Sequence, residues 1–127
     1  MTVHSRLGCG LKEKMYQEAL ELEIAARGLG VRAQHPVEVF DQGVAIGLYY
    51  LDLLVQDQVV VEIKAVPGML TNEHLAQVIS YLVVTNCPVG LLINFGRRRL
   101  EFRRILRPRS ITNHVSRRYL RKYPPNP

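Results

Sequence analysis

The segment "VVVEIKAV", Val59–Val66, most constrains the fold, because it places two opposite charges inside an apolar run. Six apolar and mostly β-branched residues surround Glu62 and Lys64, which is typical of a strand buried on both faces. Residues two apart on a strand project from the same face, so the two charges are expected to point the same way. A buried carboxylate without a cation or hydrogen-bond donors is very costly, so Glu62 needs a partner.

A second lone acid lies on the preceding predicted strand, where Asp52 interrupts the apolar run "YYLDLLV". A turn centred on Asp57 leaves five residues on each side, so a hairpin places Asp52 opposite Glu62. Two opposed carboxylates repel, and a divalent cation between them turns that repulsion into coordination. Oxygen ligands with open water positions suit Mg²⁺ or Mn²⁺. With Lys64 orienting a metal-activated water or offsetting negative charge, the pattern predicts phosphodiester hydrolysis.

Apolar residues recurring at spacings of three and four predict two helices, over residues 11–30 and 71–86. The first helix has an apolar stripe that is expected to be its buried face, formed by Leu11, Met15, Ala19, Leu22 and Ala26. The second helix begins after the N-cap residue Thr71. Its expected buried stripe consists of Leu75, Val78, Ile79 and Leu82.

Short apolar or alternating runs predict five strands, over residues 31–40, 44–55, 59–66, 89–95 and 97–106. Pro36 indicates that the first strand lies at an edge or contains a bulge. The last strand alternates, with Leu100 and Phe102 expected on one side. The order αβββαββ predicts an α+β domain with a mixed sheet flanked by helices. A further short helix through Ile111, Val115 and Leu120 is also compatible with the pattern.

The charge distribution points to a polyanionic partner. Residues 1–96 carry six Lys+Arg against ten Asp+Glu, whereas residues 97–127 carry ten Arg and one Lys against one Glu. Arginine suits bidentate phosphate contacts, and a basic segment favours nucleic acid through counterion release. A solvated tail that only aids solubility is the alternative interpretation.

Other classes of protein are excluded or disfavoured by composition. The 127 residues suit one domain, and no apolar run is long enough for a transmembrane helix. The N-terminus lacks the apolar block of a secretory signal. Cys9 and Cys87 have no metal or redox spacing, which favours free thiols in a reducing, cytoplasmic setting.

Two sets of residues resemble a known family. Asp52 followed by Glu62-Ile63-Lys64 resembles the D…E-x-K signature of the PD-(D/E)XK nuclease superfamily, and the αβββαβ order resembles its core. Within "GLKEKMY", the spacing that names the GxxExxY proteins, a group of that superfamily, is formed by Gly10, Glu13 and Tyr16. The segments "VHSRLGCG", "QVISYL" and "LLINFG" also match that group, so the resemblance spans residues 3–105.

The resemblance implies roles for individual residues. Asp52 and Glu62 match metal-binding acids, the backbone carbonyl of Ile63 matches an extra ligand, and Lys64 matches the catalytic lysine. Glu13 matches an acid that helps to hold the metal or its water, although a solvated helix residue is the alternative.

A second motif is formed by Gln77 and Tyr81, which share one helix face. They resemble the Q-x-x-x-Y motif of RecB-like nucleases, where it supports the site or contacts substrate. The alternatives are that Gln77 hydrogen-bonds to a strand end and that Tyr81 packs in the core. Tyr16 is interpreted as a packing residue.

The sequence therefore predicts a nuclease-like domain over residues 1–106 and a basic C-terminal tail over residues 107–127. The expected activity is Mg²⁺- or Mn²⁺-dependent hydrolysis of nucleic acid, DNA rather than RNA. The residues expected to bind nucleic acid are Arg97, Arg98, Arg99, Arg103 and Arg104. An inactive nuclease-fold module that binds nucleic acid or a protein is the alternative, and a homodimer stays open because no pattern marks an interface.

Overall fold

The computed structural model describes residues 2–108 and confirms an α+β fold with a mixed sheet. The elements are α1 (Thr2–Leu7), α2 (Glu13–Ala26), β1 (Val31–Asp41), β2 (Val44–Val55), β3 (Val59–Lys64), α3 (Asn72–Thr85), β4 (Val89–Asn94) and β5 (Glu101–Leu106). Helix α1 was not predicted, because its six residues are too few to show a helical period. The helix suggested through Ile111 lies outside the described residues.

The five strands form one sheet in the order β1-β2-β3-β4-β5. Strands β1, β2 and β3 form an antiparallel meander, and β4 pairs parallel to β3 after the crossover through α3, which makes the sheet mixed, as predicted. Pro36 lies on the edge strand β1, as expected from its missing N–H. A register shift follows between Val39 and Phe40. The parallel pair places the ends of β3 and β4, Lys64 and Asn94, side by side.

The two sheet faces carry separate cores. Helix α3 packs on the face that carries Leu51, Val60 and Leu92, whereas α2 packs on the face that carries Val61 and Ile63. The described chain contains no helix that is long and apolar enough to span a membrane.

The expected buried face of α2 was wrong. Leu11, Met15 and Leu22 are exposed by 37%, 51% and 70%, whereas Tyr16 and Leu20 are buried. Both faces have the same period, so periodicity alone could not choose between them. The choice comes from tertiary contacts of Tyr16, whose ring stacks on the Phe95 ring at 4.6 Å and whose hydroxyl donates to the Gly8 carbonyl at 2.7 Å. Tyr16 is therefore a packing residue, as predicted.

Helix α3 follows its prediction closely. Thr71 is the N-cap, since its side chain accepts from the His74 amide at 3.3 Å and the His74 ring accepts from the Thr71 amide at 3.0 Å. Val78 and Leu82 are fully buried. On the last strand, Phe102 is 63% exposed, while Ile105 contacts the core beneath α3. Residues three apart on a strand face opposite ways, so Phe102 lies on the face of β5 away from that core.

The loop after β3 is clamped to the end of β4. The side chain of Asn94, which is fully buried, accepts from the Val66 and Gly96 amides and donates to the Val66 and Gly68 carbonyls, at 2.9–3.1 Å. Glu101 accepts from the Leu70 amide with both carboxylate oxygens, at 3.1 Å. The clamp fixes the chain that leaves the C-terminal end of β3.

Replacing Gly96 with alanine is expected to destabilise the fold by about 1 to 3 kcal/mol, because an added Cβ would lie 2.5 Å from the Val66 backbone. Gly68→Ala is the matched control in the same loop, since its Cβ would meet nothing within 4 Å. Urea unfolding measures both. Equal unfolding free energies for the two variants would contradict the close approach.

Candidate active site

The two predicted acids meet at the end of the β2–β3 hairpin. The β2–β3 ladder ends at the pair Leu53–Val61, and Asp52 and Glu62 are the next residues along the two strands. Glu62 is 4% exposed and its carboxyl hydrogen-bonds the carboxylate of Asp52. The Asp52 Oδ2 atom also accepts from the Ile63 amide at 2.8 Å. The structure therefore brings the two carboxylates into contact within a buried setting.

Burial is the main reason that the pKa of Glu62 rises from 4.5 to about 9. The hydrogen bond to Asp52 and its negative charge raise the pKa further, and Glu13 adds a smaller contribution of the same sign. Lys64 lowers the pKa but does not offset these effects. Near neutral pH, without a cation, Glu62 therefore keeps its proton and hydrogen-bonds Asp52.

This donor set fits Mg²⁺ or Mn²⁺. Two carboxylates in contact supply hard oxygen ligands, and the negative charges of Asp52 and Glu13 act on Glu62 in the direction that favours a cation there. The described residues include no group of three or more His, Cys, Asp or Glu side chains placed to hold a metal. A cation held here would therefore need further ligands, and the carbonyl of Ile63 stays a prediction for one of them.

Lys64 and Glu13 border the acid pair from different elements. Lys64 is partly buried at the last position of β3, and its carbonyl accepts from the Phe95 amide at 2.8 Å. Glu13 is exposed at the first position of α2 and acts on Glu62 through its charge. Its predicted role in holding the metal or its water stays a prediction.

Helix α3 brings Tyr81 to the acids. Tyr81 is 7% exposed and forms a side-chain hydrogen bond with Glu62. Burial, followed by the negative charges of Glu62 and Asp52, raises the pKa of Tyr81 to about 12, so the hydroxyl keeps its proton. The Tyr49 ring packs edge-on against it at a centroid distance of 5.1 Å. Gln77 is exposed one turn earlier on α3, and its predicted role stays a prediction.

Two glutamines that the sequence did not single out also reach the site. The Gln34 side-chain amide on β1 donates to Gln17 on α2 at 2.7 Å and to Asp52 at 3.4 Å. Gln17 is buried on α2. Its position next to Tyr16 is the one feature of the sequence that could have pointed to this burial. These contacts tie the helix that carries Glu13 to the acid pair.

The five arginines predicted to bind nucleic acid do not share one surface. Arg98 and Arg99 are exposed in the β4–β5 connection, whereas Arg97 ion-pairs with Glu101 at 3.6 Å. Arg103 and Arg104 are exposed on β5, where adjacent residues face opposite sides of the sheet. The role of the five arginines in nucleic-acid binding stays a prediction, and the β4–β5 connection carries an exposed basic pair.

A mixed sheet with an acid pair and a lysine on adjacent strands defines a nuclease-type domain. A family model of the PD-(D/E)XK nuclease superfamily matches residues 1–105, and the chain belongs to that superfamily. Nucleases of this superfamily act on nucleic acid and typically use divalent metals.

Two further comparisons define the limits of that assignment. A solved structure described as "Crystal structure of SSO0001" is similar, with a TM-score of 0.60 and 18% sequence identity over 75% of this chain. The match spans 50% of that other chain, and at this identity it shows the shared fold alone. No curated protein matches the sequence.

Proposed function

We propose that the protein is a metal-dependent nuclease of the GxxExxY group that hydrolyses phosphodiester bonds, with DNA as the favoured substrate. The observation that carries this proposal is the buried contact between the Asp52 and Glu62 carboxyls beside Lys64. A fold without a role for these groups would gain nothing from burying Glu62 in contact with a second acid.

Asp52 and Glu62 would hold Mg²⁺ or Mn²⁺, which when bound supplies a Lewis acid for the phosphate and an activated water. Glu62 would have to release its proton when the cation binds. Because the pKa of Glu62 is raised to about 9, this release is favoured only at alkaline pH. Lys64 would orient the attacking water or offset charge on the phosphate. Tyr81, which keeps its hydroxyl proton, would orient Glu62 through their hydrogen bond.

Cleavage of labelled single-stranded, duplex and branched DNA and of RNA, with Mg²⁺ or Mn²⁺ and then with chelator, tests the proposal. Glu62→Ala and Lys64→Ala are assayed beside the wild type. Chelator-sensitive cleavage that both substitutions abolish supports a nuclease. Cleavage that persists in both variants identifies a contaminant, and binding without cleavage supports the inactive-module alternative.

The exposed arginine pair is expected to contact phosphate. Arg98→Gln with Arg99→Gln should weaken binding of every DNA sequence similarly and reduce the magnitude of the slope of log K against log salt by about two. Fluorescence anisotropy over a salt series measures both effects. Arg6→Gln, an exposed substitution on α1, is the matched control. An unchanged salt slope in the double variant would remove this pair from the substrate surface.

We also propose a homodimer. Only Leu53 to Val55 of β2 pair with β3, so the rest of the β1–β2 hairpin, here called the arm, extends beyond β3. Exposed large apolar side chains follow β2 at Val44, Ile46, Leu48 and Tyr50. Residues 33–63 contain no Lys or Arg, which disfavours nucleic acid as the partner of this arm.

Ile46→Lys with Leu48→Lys is expected to convert a dimer to a monomer, because charges on the arm oppose apolar burial. Light scattering coupled to size exclusion gives the mass, and Leu22→Lys on α2 is the exposed apolar control. A monomeric wild type at micromolar concentration would contradict the dimer.

A cytoplasmic location stays a prediction.

A further inference from the structure

Gln34 adopts a left-handed backbone conformation inside a strand, with φ at +47°. Few residues other than glycine occupy this region, and those that do are often found at functional sites. Beside it, the β1–β2 ladder passes from the pair Ala33–Leu53 to the pair His35–Leu51. The ladder therefore skips Gln34 and Asp52, which lie between these two pairs.

The β2 strand changes face at this step. Leu51 and Leu53 are two apart and would share a face on a regular strand, yet they pack in cores on opposite sides of the sheet. Asp52 lies at the point of reversal. The backbone irregularity thus coincides with one of the two site acids.

The Gln34 side chain links this point to α2. Its Nε2 atom donates to the buried Gln17 at 2.7 Å and to the Asp52 Oδ1 atom at 3.4 Å. The other Asp52 oxygen accepts from the Ile63 amide at 2.8 Å. Donors from β1 and β3 therefore hold the two oxygens of one carboxylate.

We propose that Gln34 is a positioning residue that orients the Asp52 carboxylate for a divalent cation, with Gln17 fixing the direction of the Gln34 amide. The inference rests on the proposed function, because it requires cation binding at the acid pair. Groups that orient metal ligands in this way typically change metal affinity or activity by about 10- to 100-fold when removed. The exposed, 3.4 Å bond to Asp52 suggests the lower end of that range.

Gln34→Gly separates positioning from stability. Glycine accepts a positive φ without strain, which offsets the loss of the hydrogen bond to Gln17, so the substitution should change the unfolding free energy little while it removes the amide. Gln42→Gly is the matched control, because Gln42 is also left-handed, with φ at +52°, but lies in the turn at the tip of the arm. Both variants should stay close to the wild type in stability.

The decisive measurement is Mn²⁺ binding by isothermal titration calorimetry without nucleic acid. Gln34→Gly is expected to weaken Mn²⁺ binding about tenfold, whereas Gln42→Gly leaves it unchanged. Gln17→Met should weaken binding in the same direction, and should add little when combined with Gln34→Gly. The cleavage rate of Gln34→Gly should recover at saturating Mn²⁺.

Three outcomes would overturn the inference. Wild-type Mn²⁺ affinity in Gln34→Gly would show that the amide does not position Asp52. A marked loss of stability in that variant would assign Gln34 a structural role instead. A wild type that binds no Mn²⁺ would remove the proposed function as well, whereas the first two outcomes leave it standing.

Discussion

At pH 8 and without metal, Glu62→Gln is expected to raise the free energy of unfolding by on the order of 4 kcal/mol. Burial raises the pKa of Glu62 to about 9, so the folded protein keeps a proton that the unfolded chain releases above pH 4.5. The stabilising contribution of Glu62 to the wild type should therefore be largest below pH 4.5. It should fall as the pH rises towards 9. Glutamine cannot ionise in either state and still donates a hydrogen bond to Asp52.

Urea unfolding in chelator at several pH values between 5 and 9 measures this effect. The difference between Glu62→Gln and the wild type should grow by up to about 1.4 kcal/mol per pH unit. Glu38→Gln, which replaces an exposed carboxyl on β1, should follow the wild type. Parallel stability curves for Glu62→Gln and the wild type would show that Glu62 is ionised in the folded protein.

Mn²⁺ should reverse the order of stability. It can replace the proton between Asp52 and Glu62 in the wild type, so it should stabilise the wild type more as the pH rises. The amide of Glu62→Gln is a weak, neutral ligand, and the variant should gain little. A variant that is more stable without metal and inactive with it is the expected signature of a site that retains costly groups for catalysis.

The site acids were predictable because their placement depends on local rules. The short turn around Asp57 sets the register of the hairpin, whose last pair, Leu53–Val61, lies one residue before Asp52 and Glu62. The alternation of β3 then puts Glu62 and Lys64 on one face. Tyr81 could be expected only through the resemblance, because its contact with Glu62 joins a helix and a strand far apart in sequence.

The missed features depend on contacts that no local pattern records. The face of α2 is chosen by the stacking of Tyr16 on Phe95, two residues that are 79 positions apart in the chain. The change of face at Asp52 could not be predicted from a glycine in the sequence, because Gln34 occupies the left-handed backbone position beside it.

Lys64→Met is expected to lower the cleavage rate about 10³-fold while Mn²⁺ binding at alkaline pH is retained. Methionine keeps the apolar stem of the side chain but cannot offset charge on the phosphate. The loss of the Lys64 charge raises the pKa of Glu62 further, because Lys64 is the group that lowers it. Mn²⁺ binding by the variant should therefore need a higher pH than binding by the wild type.

Single-turnover cleavage with saturating Mn²⁺, measured from pH 7 to pH 10, separates the two effects. If Lys64 acts only by lowering the pKa of Glu62, the variant regains wild-type rates at high pH. If Lys64 acts on the water or the phosphate, the deficit of about 10³-fold persists there, where the acid pair is fully charged. Lys14→Met, an exposed substitution on α2, should leave the rate unchanged and controls for the loss of a positive charge.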